Sequence, residues 1–404
     1  RYYPVRNEDG SLMPYFLTVR NGGTKALENV QHGNEKVLRA RLDDAKFFFE
    51  NDRKKTLEGH RDDLTRINYQ EGMGDMRDKA DRLQKLTEAI GKDWGFTAEE
   101  AADADRAAFL SKSDLATGMV TEFTELQGEM GKEYALLDGE KPEVAKAIFE
   151  QYMPRFAGDI LPEQEIGRAL SLADKLDNLA ATFLRGLIPT GSQDPFALRR
   201  QTIGAVNILT DGKIHWDIRR GIEAALALLP GDEETKKTVL SQIEDFFRQR
   251  IKAIMLDEGI AYDIIDAVLA GPVDDIYALF LKARSMAESQ LKGEAELRQA
   301  VTRLANITKG KTGGKVDPSL FNEDVEKKLQ DAFQAVSGKA LPLFASYEYG
   351  KALPALKELT APINDYLDNV MVMVDDEAVK NNRISQLLAT LALFNTWGDF
   401  SKLV

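Results

Sequence analysis

At 404 residues the chain is too long for one ordinary core, and an apolar share of 43% with 29% charged residues describes a globular protein of roughly two to four domains. The net charge of −13 argues against indiscriminate nucleic-acid binding, because phosphate contacts need Lys and Arg. The absence of cysteine excludes disulfides and thiolate metal sites. Three scattered histidines support no Ser-His-Asp set, and no apolar run is long enough to span a membrane. Without a secretion pattern the cytoplasm is the expected compartment, and a chain beginning at Arg1 reads as a piece lacking its natural N-terminus.

Residues 1–25 read as β: Tyr2 to Val5 and Tyr15 to Val19 flank Asn7-Glu8-Asp9-Gly10, whose Asp-Gly favours a tight turn. Two strands are marginal alone, so this hairpin is expected to finish a sheet with strands upstream. From Leu27 the pattern is helical. Residues 26–60 form a connector, in which the mixed charges from Asn51 to Arg66 read as a solvated helix face.

Helices are then expected over 78–90, 99–135, 141–151, 165–184 and 196–209. The stripe Leu115, Met119, Phe123, Leu126, Met130, Tyr134 makes 99–135 one amphipathic helix, although Gly128 and Gly131 each cost it roughly 1 kcal/mol against Ala. The segment from Pro189 to Pro195 is a loop, and Gly271-Pro272 marks a joint. Residues 211–272 read as a helical linker region. Helices over 275–307, 320–336, 350–374 and 376–397 form a closing bundle over 273–404, with Met371-Val372-Met373-Val374 as a core helix segment. Trp94, Trp216 and Trp397 read as core or rim residues.

Two segments invite chemistry. Gly310-Lys311-Thr312 resembles a phosphate loop, but Ala305 stands where its first glycine is needed and a helix precedes it, so it reads as a flexible basic loop. It lies in a stretch, 301–315, holding Arg303, Lys309, Lys311 and Lys315 with no acid. The pair Lys112-Ser113-Asp114 and Ala173-Asp174-Lys175-Leu176-Asp177 suggests an HD-type metal phosphohydrolase. That chemistry needs imidazoles beside the carboxylates, and Ser113 stands in place of the second histidine. The expected reading is a degenerate HD site (Ser113, Asp114, Asp174, Asp177) with no metal and no catalytic residue, its carboxylates tying helices through Lys112 or Lys175.

The run Lys112-Ser113-Asp114-Leu115-Ala116-Thr117-Gly118-Met119-Val120-Thr121-Glu122-Phe123-Thr124-Glu125-Leu126-Gln127-Gly128-Glu129-Met130-Gly131 resembles a segment of the β subunit of bacterial glycyl-tRNA synthetase. Collinear matches follow across nearly the whole chain: Arg1 to Val5, Gly33 to Leu42, Asp44 to Phe49, Gly186 to Arg200, Asp368 to Ala378, Asn381 to Arg383 and Asp399 to Leu403. The chain looks like the C-terminal part of that subunit. The resemblance implies a mainly α, multi-domain protein with a short N-terminal β-hairpin ending an editing-type module and a degenerate HD-like helical domain over 61–210. A C-terminal helical anticodon-binding bundle, similar to that of arginyl-tRNA synthetase, would follow.

It further implies an α2β2 enzyme whose α subunit uses ATP and Mg, with no cofactor in this chain, no DNA and no membrane partner. The β subunit would grip glycine tRNA. Its contacts are expected at Arg199 and Arg200 on duplex backbone, at Arg303, Asn306, Lys309, Lys311 and Lys315, and at Asn381, Asn382 and Arg383, one of which could instead cap the last helix. Thr302 to Ile307 departs from the family's pattern by one missing cation. An active phosphohydrolase and a stand-alone RNA-binding module are the alternatives.

Overall fold

The computed structural model describes residues 2–191 and 193–404, apart from the side chains of Gln290 and Lys292; Arg1 and Ser192, both in segments quoted above, lie outside the described residues. It is mainly helical. Its only sheet among those residues is the hairpin β1 (Tyr2–Arg6) and β2 (Leu12–Thr18), antiparallel from Tyr2↔Thr18 to Arg6↔Leu12, with Gly10 at φ 84° in the turn. Leu12, Tyr15, Leu17 and Val19 stay exposed, and the Tyr2 hydroxyl donates to Asn34 Oδ1 at 3.2 Å.

That contact seats the hairpin on α1 (Leu27–Asp52), a rod about 39 Å long in which only Asp52 is buried. The Asp52 carboxylate accepts from Gly118 N and Met119 N, both at 2.8 Å, and from the Tyr134 hydroxyl at 3.0 Å. It thereby caps a helix 66 residues away. The charge run after it is not one solvated face. It bends into α2 (Leu57–Arg61) and a 3-10 turn, and His60 and Arg61 are buried. Arg61 donates to Phe109 O at 2.6 Å and stacks 4.0 Å over the Phe109 ring.

Helices α3 (Met76–Trp94) and α4 (Ala98–Leu110) pack together, each opened by a capping box, Asp75 with Asp78 and Thr97 with Glu100. The single helix expected over 99–135 is broken. Lys112 turns left-handed at φ 65°, a 3-10 turn covers Ser113–Ala116, and Thr117 caps the short α5 (Gly118–Glu122). Gly128 at φ 84° then starts α6 (Glu129–Leu137). The stripe still faces inward on average, because Met119, Phe123 and Tyr134 are buried. The glycines are explained by the break and by crowding: a Cβ on Gly128 would lie 2.9 Å from the Tyr152 ring, and one on Gly131 2.9 Å from Ile148.

After α7 (Pro142–Glu150) comes α8 (Glu165–Leu184), on the expected boundaries and with sixteen of its twenty residues buried. It touches α3, α4, α7 and the next elements, α9 (Leu198–Asp211), α10 (Ile218–Ala227) and α11 (Glu233–Asp257). A helix wrapped on all sides is a core helix, so its Asp174, Lys175 and Asp177 need partners inside.

The apolar contacts continue past residues 210 and 272 through α12 (Tyr262–Val268) and α13 (Ile276–Glu288) to Leu403. The helix expected over 275–307 is interrupted by a Ser289-capped 3-10 turn before α14 (Ala295–Thr308). The closing helices are α15 (Asp324–Ala345), α16 (Leu353–Lys357), α17 (Thr360–Asn369) and α18 (Glu377–Asn395). The helix expected over 350–374 is thus split at Glu358-Leu359 and ends at Asn369. Val370 leaves the helix in an extended conformation and the chain bends at Val372 and Met373, with Val370 and Val372 buried and Met371 and Met373 exposed. Trp397 is fully buried, and its indole donates to Ser285 Oγ at 3.1 Å; Trp216 is buried and Trp94 half-buried.

Candidate functional site

One network of interior charges gathers around α8. Lys79 on α3 lies 2.9 Å from Asp174 and 2.8 Å from Asp177; Lys112 lies 2.9 Å from Asp174; and Arg82 grips Asp177 at 2.6 and 3.2 Å. Burial pushes the Asp174 carboxyl up, but the ammoniums of Lys112 and Lys79 outweigh it and hold the group far below the usual range. Asp177 is held low in the same way, chiefly by Lys79 and Arg82. These carboxylates are spent on cations, as a low-dielectric interior requires.

Asp114 is apart from them. It accepts from Gly128 N at 2.7 Å and from the Tyr152 hydroxyl at 2.8 Å, and burial raises its carboxyl. The left-handed Lys112 therefore aims its ammonium at Asp174 and over the Tyr152 ring (4.1 Å), while Asp114 holds the Gly128 turn. Ser113 is buried, with its hydroxyl unpartnered. Among the described residues no three His, Asp or Glu side chains are grouped to hold a metal ion. Four residues expected in a degenerate HD site thus divide: Asp174 and Asp177 join, Asp114 does not, and Ser113 bonds neither.

The ties expected through Lys112 are present. Lys175 instead bonds only neutral acceptors, Met153 O at 2.6 Å and Ser171 Oγ at 2.7 Å. Burial pulls its ammonium down to about 7. Lys79 and Arg82 escaped the sequence reading, although Lys79 falls on the apolar stripe of Met76, Ala80, Leu83 and Leu86. A cation in that position asks for a buried partner.

A second surface lies on the closing bundle. Lys309, Lys311 and Lys315 are exposed and in no ion pair among the described residues, and Asn306 is exposed beside them. Arg303 is half-committed, with Asp368 at 2.5 Å and Asn364 at 3.0 Å. The loop expected to be flexible is pinned to α18. Gly314 N donates to Ser385 Oγ at 2.8 Å, Asp317 N donates to Asn382 Oδ1 at 2.7 Å, and Asn382 Nδ2 returns a bond to Asp317 O at 2.9 Å. A Cβ on Gly313 would lie 2.9 Å from Leu388, so the glycine permits this close approach.

Asn382 and Arg383, expected to meet RNA, point inward and are each 5% exposed. Arg383 pairs with the fully buried Glu326 at 2.9 and 3.3 Å and donates to Met371 O at 2.8 Å. Burial works against the Glu326 charge, but Arg383 and two backbone amides keep its carboxyl low. The cap of α18 is Asp376, not an asparagine, and Asn381 alone of the three faces solvent. On the other module Asp194 caps α9 through Leu198 N and Arg199 N. Arg199 is half-buried there, and the exposed Arg200 donates to Arg155 O at 3.1 Å.

Comparison with known proteins agrees along the whole length. The profile of the family described as glycyl-tRNA synthetase beta subunit matches residues 1–270. The glycine–tRNA ligase beta subunit of Desulforamulus reducens is 42% identical over 408 residues, and that of Clostridioides difficile 44% over 405; each alignment takes in 100% of this chain and 59% of the relative. That of Halothermothrix orenii is 43% identical over 392 residues, 96% of this chain and 57% of the relative. The chain thus spans about 59% of the length of the curated relatives it matches. The chain belongs to the glycyl-tRNA synthetase beta subunit family.

Proposed function

We propose that this chain is the tRNA-gripping part of a glycine–tRNA ligase of α2β2 form, in which an α subunit performs the ATP- and Mg-dependent aminoacylation in the cytoplasm. The chain itself supplies no catalytic residue and holds no cofactor. On this reading residues 61–210 are a degenerate HD-like domain whose Arg199 and Arg200 touch duplex backbone. Residues 273–404 are an anticodon-binding bundle, since loop bases expose edges that A-form stems hide.

The observation that carries the proposal is the pinned basic loop. Three exposed lysines, in no ion pair among the described residues, lie in or just before a loop that Ser385 and Asn382 on one face of α18 hold at Gly314 and Asp317. Cations on a backbone held in place meet phosphates with a smaller ordering cost than cations on a mobile loop. Arg303 and Asn306 at the end of α14 and the exposed Asn381 of α18 would add to this surface, and Asn382 holds the loop from inside.

Salt-dependent binding tests this. Converting Lys309, Lys311 and Lys315 to Ala should weaken binding of glycine tRNA and flatten the slope of log K against log salt by about 0.7–0.9 per lost phosphate contact. An unchanged slope sinks the loop's role. Equal affinity for unrelated tRNAs would favour the stand-alone RNA-binding module.

A further inference from the structure

A cleft of about 540 Å³ opens over the buried network, between α8, α9 and the segment from Tyr152 to Phe156. That volume suits a small ligand. Every carboxylate lining it already has a cation: Asp174 has Lys79 and Lys112, and Glu125 has Arg41 at 2.9 Å. Arg155 in turn is held by Asp159 at 2.9 Å. Among the described residues two cations remain with only neutral oxygen acceptors, Lys175 on Met153 O and Ser171 Oγ, and Arg200 on Arg155 O. Lys175 is 4% exposed and Arg200 is exposed, so an amine that can take up a proton sits deep and a fixed positive charge sits at the mouth. Uncompensated charge of one sign in a recess draws the opposite sign, and Arg adds directional donors for phosphate oxygens. Phe156, 54% exposed, offers a ring at the edge, with the Arg155 guanidinium 5.7 Å from its centroid.

We propose that this cleft binds the phosphate of a nucleotide-sized phosphate ester, with Lys175 and Arg200 as its two cationic partners and Phe156 as the platform for the base. Binding takes up a proton. Burial holds the empty-site ammonium of Lys175 at about 7, with Lys112 and Lys79 adding to the depression and Asp174 opposing it, and a seated oxyanion restores its charge. The other charged or titratable groups facing the cleft are Arg155, Arg200, Glu125 and the Tyr152 hydroxyl, which burial and Asp114 keep protonated.

Calorimetric titration of the chain with AMP, and with sulfate as a non-titrating competitor, tests this. AMP should bind saturably, sulfate should displace it, and sulfate affinity should rise as the pH falls through about 7. Arg200→Ala, a surface change that leaves the core intact, should weaken both probes by roughly tenfold or more, equivalent to about 1.4 kcal/mol. Phe156→Ala should weaken AMP and spare sulfate. Lys175→Met, with folding verified by circular dichroism, should remove the pH dependence. Absence of saturable binding by either probe, or affinities unchanged in both Arg200→Ala and Lys175→Met, would overturn the proposal. A titration with glycine tRNA then names the source of the phosphate. If tRNA displaces AMP the cleft takes an RNA phosphate, and if both bind together it takes a free nucleotide. AMP binding retained without tRNA binding would sink the tRNA reading and leave this one standing.

Discussion

Replacing Lys175 with methionine should turn one strongly pH-dependent contribution to stability into a constant. The amine is 4% exposed, bonded to Met153 O and Ser171 Oγ, and its ammonium is held at about 7 against an ordinary 10.5. Between those two values the unfolded chain binds a proton here that the folded chain does not. Stability therefore rises with pH across that window, by up to about 1.4 kcal/mol per pH unit, and the penalty is fully present below it. Integrated from pH 7 to pH 9, starting from half-protonation, the gain comes to about 2 kcal/mol. Methionine fills similar volume and carries no proton. Urea unfolding followed by tryptophan fluorescence, done on both proteins at each pH, isolates the effect as a difference of differences. The wild type should gain about 2 kcal/mol on the variant over that range. A gap that stays flat, or that moves the other way, would refute the claim that Lys175 is buried without an anionic partner of its own.

Three further perturbations follow from the geometry. Arg383→Ala leaves the Glu326 carboxylate buried and unpaired, and should cost about 3–5 kcal/mol in denaturant unfolding; a loss under 1 kcal/mol, roughly the worth of an exposed pair, would mean the pair is solvated. Gly128→Ala forces a side chain onto a residue at φ 84° with the Tyr152 ring 2.9 Å away, and should destabilise by about 1–3 kcal/mol; an unchanged melting temperature would count against the broken helix. Asn382→Ala removes both bonds to Asp317 and should speed hydrogen exchange at the Asp317 amide, with a global cost of about 1–2 kcal/mol. Unchanged protection there would show that the loop does not depend on α18.

Elements whose signals are local were legible in the residues. The Asp9-Gly10 turn, the loop at 189–191 and 193–195 and α8 over Glu165–Leu184 stand where turn chemistry and apolar periodicity put them. Periodicity reports which side of a segment faces inward and is silent on whether its backbone is continuous. The stripe from Leu115 to Tyr134 was therefore visible, but the turns at Lys112 and Gly128 were not. Those turns are held by bonds to partners outside the segment's own period, Asp174 for Lys112 and Asp114 for Gly128. The run from Val370 to Val374 fails for a related reason. Five apolar residues read as a helix, but the helix has ended at Asn369 and the buried Arg383 takes up Met371 O in the irregular segment that follows.

The same division governs the charged groups. Sequence alone marked Asp174, Asp177, Arg383 and the lysines of 309–315 as residues of consequence. Tertiary structure decided what each of them does, because an ionisable group takes its role from its nearest partner and from the water it keeps. Asp177 meets Lys79 across 98 residues and Arg383 meets Glu326 across 57, distances along the chain at which no local pattern carries information. Lys309, Lys311 and Lys315 keep their water and remain available for a partner, whereas Asn382 and Arg383, two of their supposed companions, lost theirs to hold the fold together.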